Sequence, residues 1–232
     1  MVPNLKRIIL VFGSLFVVSI IVNIAIIASN GGFENPTKGI DIPSNQDLWF
    51  AGKNIKDGDK LSYDLTLRND SYNSFDNYSI QIDFKNNQNY WDTKFTLSNE
   101  NGSRIIYTNL SKSNLILKEK PSQNERYLNI IESSLLQIKD ITRQPKYLVI
   151  GAKWDSINTG ITEIPVKIVS LENLKTNVGN LETFVLNYNI NNKKSNTWVT
   201  KSLPLPVQAE IYNVDGMLQY KYKLINTNIK VN

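Results

Sequence analysis

The chain has 232 residues, a formal net charge of +5, no cysteine and no histidine. The missing cysteines exclude disulfides, thiolate metal sites and thiol nucleophiles, and the missing histidines exclude Ser-His-Asp hydrolysis, haem ligation and imidazole metal sites. Charges of both signs are intermixed, which is too dispersed a pattern for a nucleic-acid surface, so no nucleic acid is expected as partner and no cofactor is predicted.

Residues 1–7 carry Lys6 and Arg7, and the uncharged run Ile8 to Ala28 follows. At ~1.5 Å per residue that run spans a ~30 Å hydrocarbon core. It is longer than the apolar region of a cleavable signal peptide, so it reads as a transmembrane signal anchor. The flanking positive charges place 1–7 in the cytoplasm and the C-terminal part outside, in a single pass through the cell membrane. Ser19 and Asn23 lie four residues apart on one face of the span, where they are candidates for contact with another membrane helix. Residues 29–46, rich in Gly, Pro, Asn and Ser, form a linker, and 47–232 form the extracytoplasmic domain.

Within that domain, Leu61 to Arg68, Tyr78 to Phe84 and Trp91 to Leu97 alternate apolar and polar residues, the period of a half-buried strand. Arg104 to Thr108 and Leu115 to Lys118 read as shorter strands. Ser122 to Glu125 then forms a capping box, and Tyr127, Ile130, Ile131, Ser134, Leu135 and Ile138 follow at helical spacing, predicting one amphipathic helix from Ser122 to Asp140. Lys146 to Trp154 returns to strand. Ile164, Val166 and Ile168 alternate before the turn Asn177 to Asn180, and Phe184, Leu186, Tyr188 and Ile190 alternate after it. Asn196 to Lys201 precedes Pro204 and Pro206, which belong at an edge or bend. The Asp215-Gly216 turn leads into Leu218, Tyr220, Tyr222 and Leu224 on one face. The fold class is therefore mainly β (α+β): a membrane helix, then an antiparallel sheet with one packed amphipathic helix.

The order Val166-Lys167-Ile168, Val178 to Phe184, Trp198-Val199-Thr200-Lys201, Leu205 to Glu210 and Asp215-Gly216, with Ile55 to Tyr63 upstream, resembles the closing part and first-strand entry of the LolA-like superfamily. That resemblance implies an open, strongly curved sheet wrapped around a helix, with an apolar concavity that in the lipoprotein carriers holds acyl chains. Leu61, Tyr63, Leu65, Ile80, Ile82, Phe184, Leu186, Tyr188, Tyr220 and Tyr222 are the candidate cavity lining, covered by Tyr127, Ile131 and Ile138. The chain departs from the carriers in keeping a membrane anchor.

Other constellations are weaker. Asn69, Asn77, Asn101 and Asn109 begin N-x-Ser sequons and are candidate glycosylation sites. Asp57, Asp59, Asp70 and Asp76 fit no calcium loop and read as turn residues. Glu163, Glu172, Glu182 and Glu210 are the candidates for a carboxylate pair, and Trp49, Trp91, Trp154 and Trp198 read as core. The expected function is a non-enzymatic, membrane-anchored domain that binds a lipid or other hydrophobic ligand, or scaffolds envelope proteins. The alternatives are an accessory subunit with a membrane-protein partner and a carboxylate-dependent envelope enzyme.

Overall fold

A computed structural model describes residues 48–71, 73–118, 125–158 and 163–231. The cytoplasmic segment, the Ile8 to Ala28 run with Ser19 and Asn23, the linker and the capping-box residues Ser122 to Asn124 lie outside the described residues. Among those described, no helix is long and apolar enough to cross a membrane.

Ten strands form one antiparallel sheet. They are β2 (Lys60–Asn69), β3 (Ser74–Asn86), β4 (Tyr90–Asn99), β5 (Gly102–Ser111), β7 (Lys153–Asn158), β8 (Glu163–Thr176), β9 (Gly179–Ile190), β10 (Lys193–Val199), β11 (Gln208–Tyr212) and β12 (Leu218–Thr227). A short β1 (Leu48–Trp49) pairs with β6 (Lys146–Tyr147). The order β5-β4-β3-β2-β12-β11-β10-β9-β8-β7 joins two meanders, β2–β5 and β7–β12, through the pairing of β2 with β12. A single sheet, rather than two stacked ones, excludes an immunoglobulin-like sandwich.

Register shows how the alternation builds two faces. Ile168, Leu186, Thr197, Ala209, Tyr222, Leu65 and Tyr78 stand opposite one another across β8, β9, β10, β11, β12, β2 and β3, and all are buried. The adjacent row is Lys167, Asn187, Asn196, Glu210, Lys221, Thr66 and Asn77, polar throughout. Opposed residues of antiparallel strands share a face, so the first row is inner and the second outer. Each large apolar side chain fully buried on the inner face contributes roughly 1.5–3 kcal/mol.

Topology puts the helix inside. The chain leaves β5 at one edge of the sheet and re-enters at β7, the other edge, and the described part of the connection is 112–118 and 125–152. It buries Leu115, Leu128, Ile131, Leu135, Leu136 and Leu148 in the core shared with the inner face. The sheet is also rolled. A flat ten-stranded sheet holds its outer strands ~43 Å apart at ~4.8 Å per strand. Here one short segment reaches both sides: Gly52 packs on Leu115, just beyond β5, and Trp49 stacks on Trp154 of β7 with ring centroids 5.8 Å apart.

Three expectations are corrected. The helix predicted from Ser122 to Asp140 is not continuous: α1 spans Glu125–Glu132, and a 3₁₀ turn, Gln137–Ile141, follows after a break. At the break the Ser133 and Ser134 hydroxyls donate to the carbonyls of Asn129 (2.7 Å) and Ile130 (2.6 Å), competing with the helical ladder. Leu115 to Lys118 is not a strand: after a turn at 112–114 it returns along β5 through one isolated bridge, Leu110 to Leu117. Lys146 to Trp154 divides into β6 and the start of β7, because the chain turns at Gly151 with φ +88°. Pro204 and Pro206 lie in the bend between β10 and β11, where the Pro204 carbonyl accepts from the Gly52 N–H at 2.9 Å.

Candidate functional site

A cavity of about 700 Å³ opens where the 3₁₀ turn and β7 meet the inner face of the sheet. Its floor carries Tyr188 of β9, Thr197 of β10 and Tyr220 and Tyr222 of β12; its rim carries Asp140, Arg143, Asp155 and Glu163, with Trp154 on the β7 wall. The volume falls within the ~300–1,000 Å³ typical of small-ligand sites.

The floor is an aromatic cluster fixed from several sides. Tyr220 and Tyr222, two residues apart on β12, stack with centroids 6.1 Å apart and rings 4° from parallel. Tyr63 meets Tyr222 edge-on at 5.7 Å and donates from its hydroxyl to the Pro206 carbonyl at 3.1 Å. The Tyr220 hydroxyl donates to the Gln137 side-chain oxygen, tying the 3₁₀ turn to the sheet. Burial raises the Tyr63, Tyr188, Tyr220 and Tyr222 phenols above their ordinary value, and neighbouring tyrosines add to the rise at Tyr63, Tyr220 and Tyr222. The Asp140 charge also reaches Tyr220 and raises it further. The floor therefore stays neutral, and Tyr188, Tyr220 and Tyr222 border the cavity with 3–7% of their surface exposed.

The rim is charged. Asp155 pairs with Lys146 at 2.9 Å, while Asp140 and Glu163 are exposed at the mouth. Three carboxylates and one guanidinium thus surround an aromatic base, a mixed lining rather than the purely apolar concavity that the LolA-like resemblance implies.

All ten residues predicted to line the cavity are buried on the inner face. Only Tyr188, Tyr220 and Tyr222 reach the cavity; Leu61, Tyr63, Leu65, Ile80, Ile82, Phe184 and Leu186 do not line it. Of the predicted cover, Ile138 lines it, whereas Ile131 is wholly buried and Tyr127 half-buried elsewhere in the core. Of the four glutamates singled out, Glu163 alone stands at the rim; Glu172 accepts from the Trp198 indole at 3.2 Å on the outer face, and Glu210 accepts from the Tyr212 hydroxyl. The sequence reading missed Gln137, Asp140, Arg143 and Asp155. Their one available signal was that they flank the end of the amphipathic stripe and the strand after it.

The remaining candidates have local partners. Asp57 and Asp59 accept from the backbone N–H groups of Asn86 and Lys56, Asp70 pairs with Arg68 at 2.9 Å, and Asp76 accepts from Asn69 at 3.1 Å. No group of three potential metal-binding side chains occurs among the described residues. The sequon Asn101 sits in the exposed β4–β5 turn, while Asn69, Asn77 and Asn109 lie within strands. A second hollow of about 820 Å³ lies over the β2–β5 half of the sheet, flanked by Lys60, Asp83, Lys94 and the exposed Tyr107. It is larger, and although those four stand opposite one another on the solvent face, its lining also includes the buried Thr93 and Thr108.

No protein-family model matches the chain, and no curated protein matches it. Two solved structures are similar. One, described as an exported protein with a YmcC-like fold, is from Bacteroides fragilis NCTC 9343, at 9% identity and a TM-score of 0.35, covering 78% of this chain and 99% of that one. The other, described as a lipoprotein, is from Parabacteroides distasonis ATCC 8503, at 10% identity and a TM-score of 0.36, covering 80% of this chain and 100% of that one. At these values the likeness carries no argument about this chain's fold or activity.

Proposed function

We propose that the chain is a single-pass, membrane-anchored, extracytoplasmic binding module of LolA-like type that holds a small amphipathic ligand in the cavity between the rolled sheet and the 3₁₀ turn. It acts without catalysing a reaction. The observation that carries this reading is the open cavity of about 700 Å³ against an inner face otherwise built of buried side chains. A concave opening of this size, lined by aromatic side chains with a few polar groups, is the usual form of a small-ligand site. The aromatic floor suits an apolar body and the charged rim suits a polar head. The membrane anchor rests on the length and charge flanks of Ile8 to Ala28.

Native mass spectrometry of the full chain, released from mild detergent, tests the reading against Thr197→Trp. Thr197 is 9% exposed and lines the cavity, so an indole there fills it. The wild type should retain a bound small molecule that the variant lacks. An unliganded wild type, with a variant no less stable, would leave a packed scaffold domain instead.

A further inference from the structure

The ligand site proposed above has a charge of its own, set against the charge of the rest of the chain. The chain carries +5, yet the cavity rim holds Asp140, Asp155 and Glu163 against one basic residue, Arg143. Lys146 neutralises Asp155 from outside the lining, which leaves Asp140 and Glu163 facing Arg143, still a negative surplus. Carboxylates alone mark only a solvated edge. Here they stand over a floor of neutral aromatic rings, and the negative charge of Asp140 is felt at the buried Tyr220. Tyr222 adds a separate polar group at the cavity. It is 4% exposed and lines the cavity, and its hydroxyl forms no hydrogen bond among the described residues. That hydroxyl opens onto the cavity rather than being sealed in the core, where Trp91 Nε1 alone lacks a partner among the described residues, and it is placed to hydrogen-bond a molecule bound there.

Aromatic faces with nearby carboxylates stabilise one ligand chemistry more than others: an organic cation, attracted by the ring quadrupoles and by the acidic rim. An anion would meet Asp140 and Glu163 at the mouth. A neutral molecule would gain from burial but not from the rim.

Resting on the cavity reading above, we infer that the cavity selects an ammonium-bearing ligand, its cationic group held between the tyrosine floor and the Asp140 and Glu163 carboxylates, with the Tyr222 hydroxyl donating to a polar atom of the same molecule.

Isothermal titration calorimetry on the full chain in dodecyl maltoside micelles, with empty micelles subtracted, tests this with three probes of one shape. Choline carries the cation, 3,3-dimethylbutan-1-ol replaces its nitrogen by carbon, and 3,3-dimethylbutanoate carries a negative charge. Choline should bind at least about tenfold more tightly than the alcohol. Asp140→Asn, at an exposed site that leaves the fold intact, should cut that ratio at least about threefold without weakening the alcohol. Equal or tighter binding of the alcohol or the carboxylate overturns the charge preference while leaving the cavity reading standing. Failure of all three probes overturns both. Where choline is preferred, dihexanoylphosphatidylcholine separates the sources: tighter binding than choline assigns the ammonium to a lipid headgroup, and weaker binding assigns it to a free cation.

Discussion

Gly52 shows how much of this structure is decided by single residues. It sits at φ +93°, a conformation that L side chains rarely adopt, and a Cβ there would lie 2.9 Å from Leu115 Cγ. The contact matters because it closes the segment 48–55 against the side of the sheet that ends in β5. Gly52→Ala should therefore destabilise the domain by more than about 1 kcal/mol, read as a lowered urea midpoint at unchanged slope. An unchanged midpoint would show that this approach is not part of the fold. At this scale the sequence was legible where side-chain period carried the information. Leu61, Tyr63 and Leu65 announce an inner face by alternation alone, and the structure buries all three. Asp140 and Gln137 were not legible as site residues, because what makes them so is proximity to Tyr220, 83 positions from Gln137 along the chain. No local pattern encodes such a contact.

Elements divide in the same way. The hairpins that turn at Asn177 to Asn180 and at Asp215-Gly216 were readable because turn chemistry is local, whereas the one between β9 and β10 went unread. In the β9–β10 turn, Asn191 and Asn192 have φ +46° and +63°, with Ile190 opposite Lys193, a two-residue loop with positive φ at both positions. Asparagine tolerates that conformation and β-branched residues do not. Asn192→Val should cost on the order of 1–2 kcal/mol in thermal or urea unfolding, while Asn192→Gly should leave stability unchanged or raise it. Equal stability of the two variants would mean the turn has another shape. The helix was only half readable. Ser134, Leu135 and Ile138 keep near-helical spacing through the break, so the apolar stripe runs on where the hydrogen-bond ladder does not, and only the Ser133-Ser134 pair hinted at it. The extra length of β8, to Thr176, was also unread, since Val169 inserts a bulge between Ile168 and Ser170 that breaks the alternation.

For the molecule as a whole, the pairing of β2 with β12 that joins the two meanders is a contact between distant parts of the chain, and neither meander's pattern announces it. The tyrosine cluster at that junction gives the domain a distinctive response to pH. Tyr63, Tyr220 and Tyr222 are buried as neutral phenols, and burial raises each above its ordinary value of 10.0. A raised folded-state value means that the stabilising contribution is fully present below pH 10 and is lost as pH rises above it. With no histidine to titrate near neutrality, unfolding free energy should stay nearly flat from about pH 6 to 9 and fall steeply above 10, each buried tyrosine adding ~1.4 kcal/mol per pH unit to the slope. Tyr222→Phe should remove one tyrosine's share of that slope. A decline beginning near neutral pH, or an unchanged alkaline slope in the variant, would contradict the buried cluster.

The central claim is that the space over Tyr188, Tyr220 and Tyr222 is a ligand chamber, and a crystal structure of the full chain as purified, compared with Thr197→Trp, tests it most directly. The wild type should show continuous electron density, larger than ordered water, lying on the tyrosine floor and reaching the Asp140 side of the rim, and the variant should show the indole in its place. A wild-type cavity that has collapsed, or that holds only separate waters, would contradict the account.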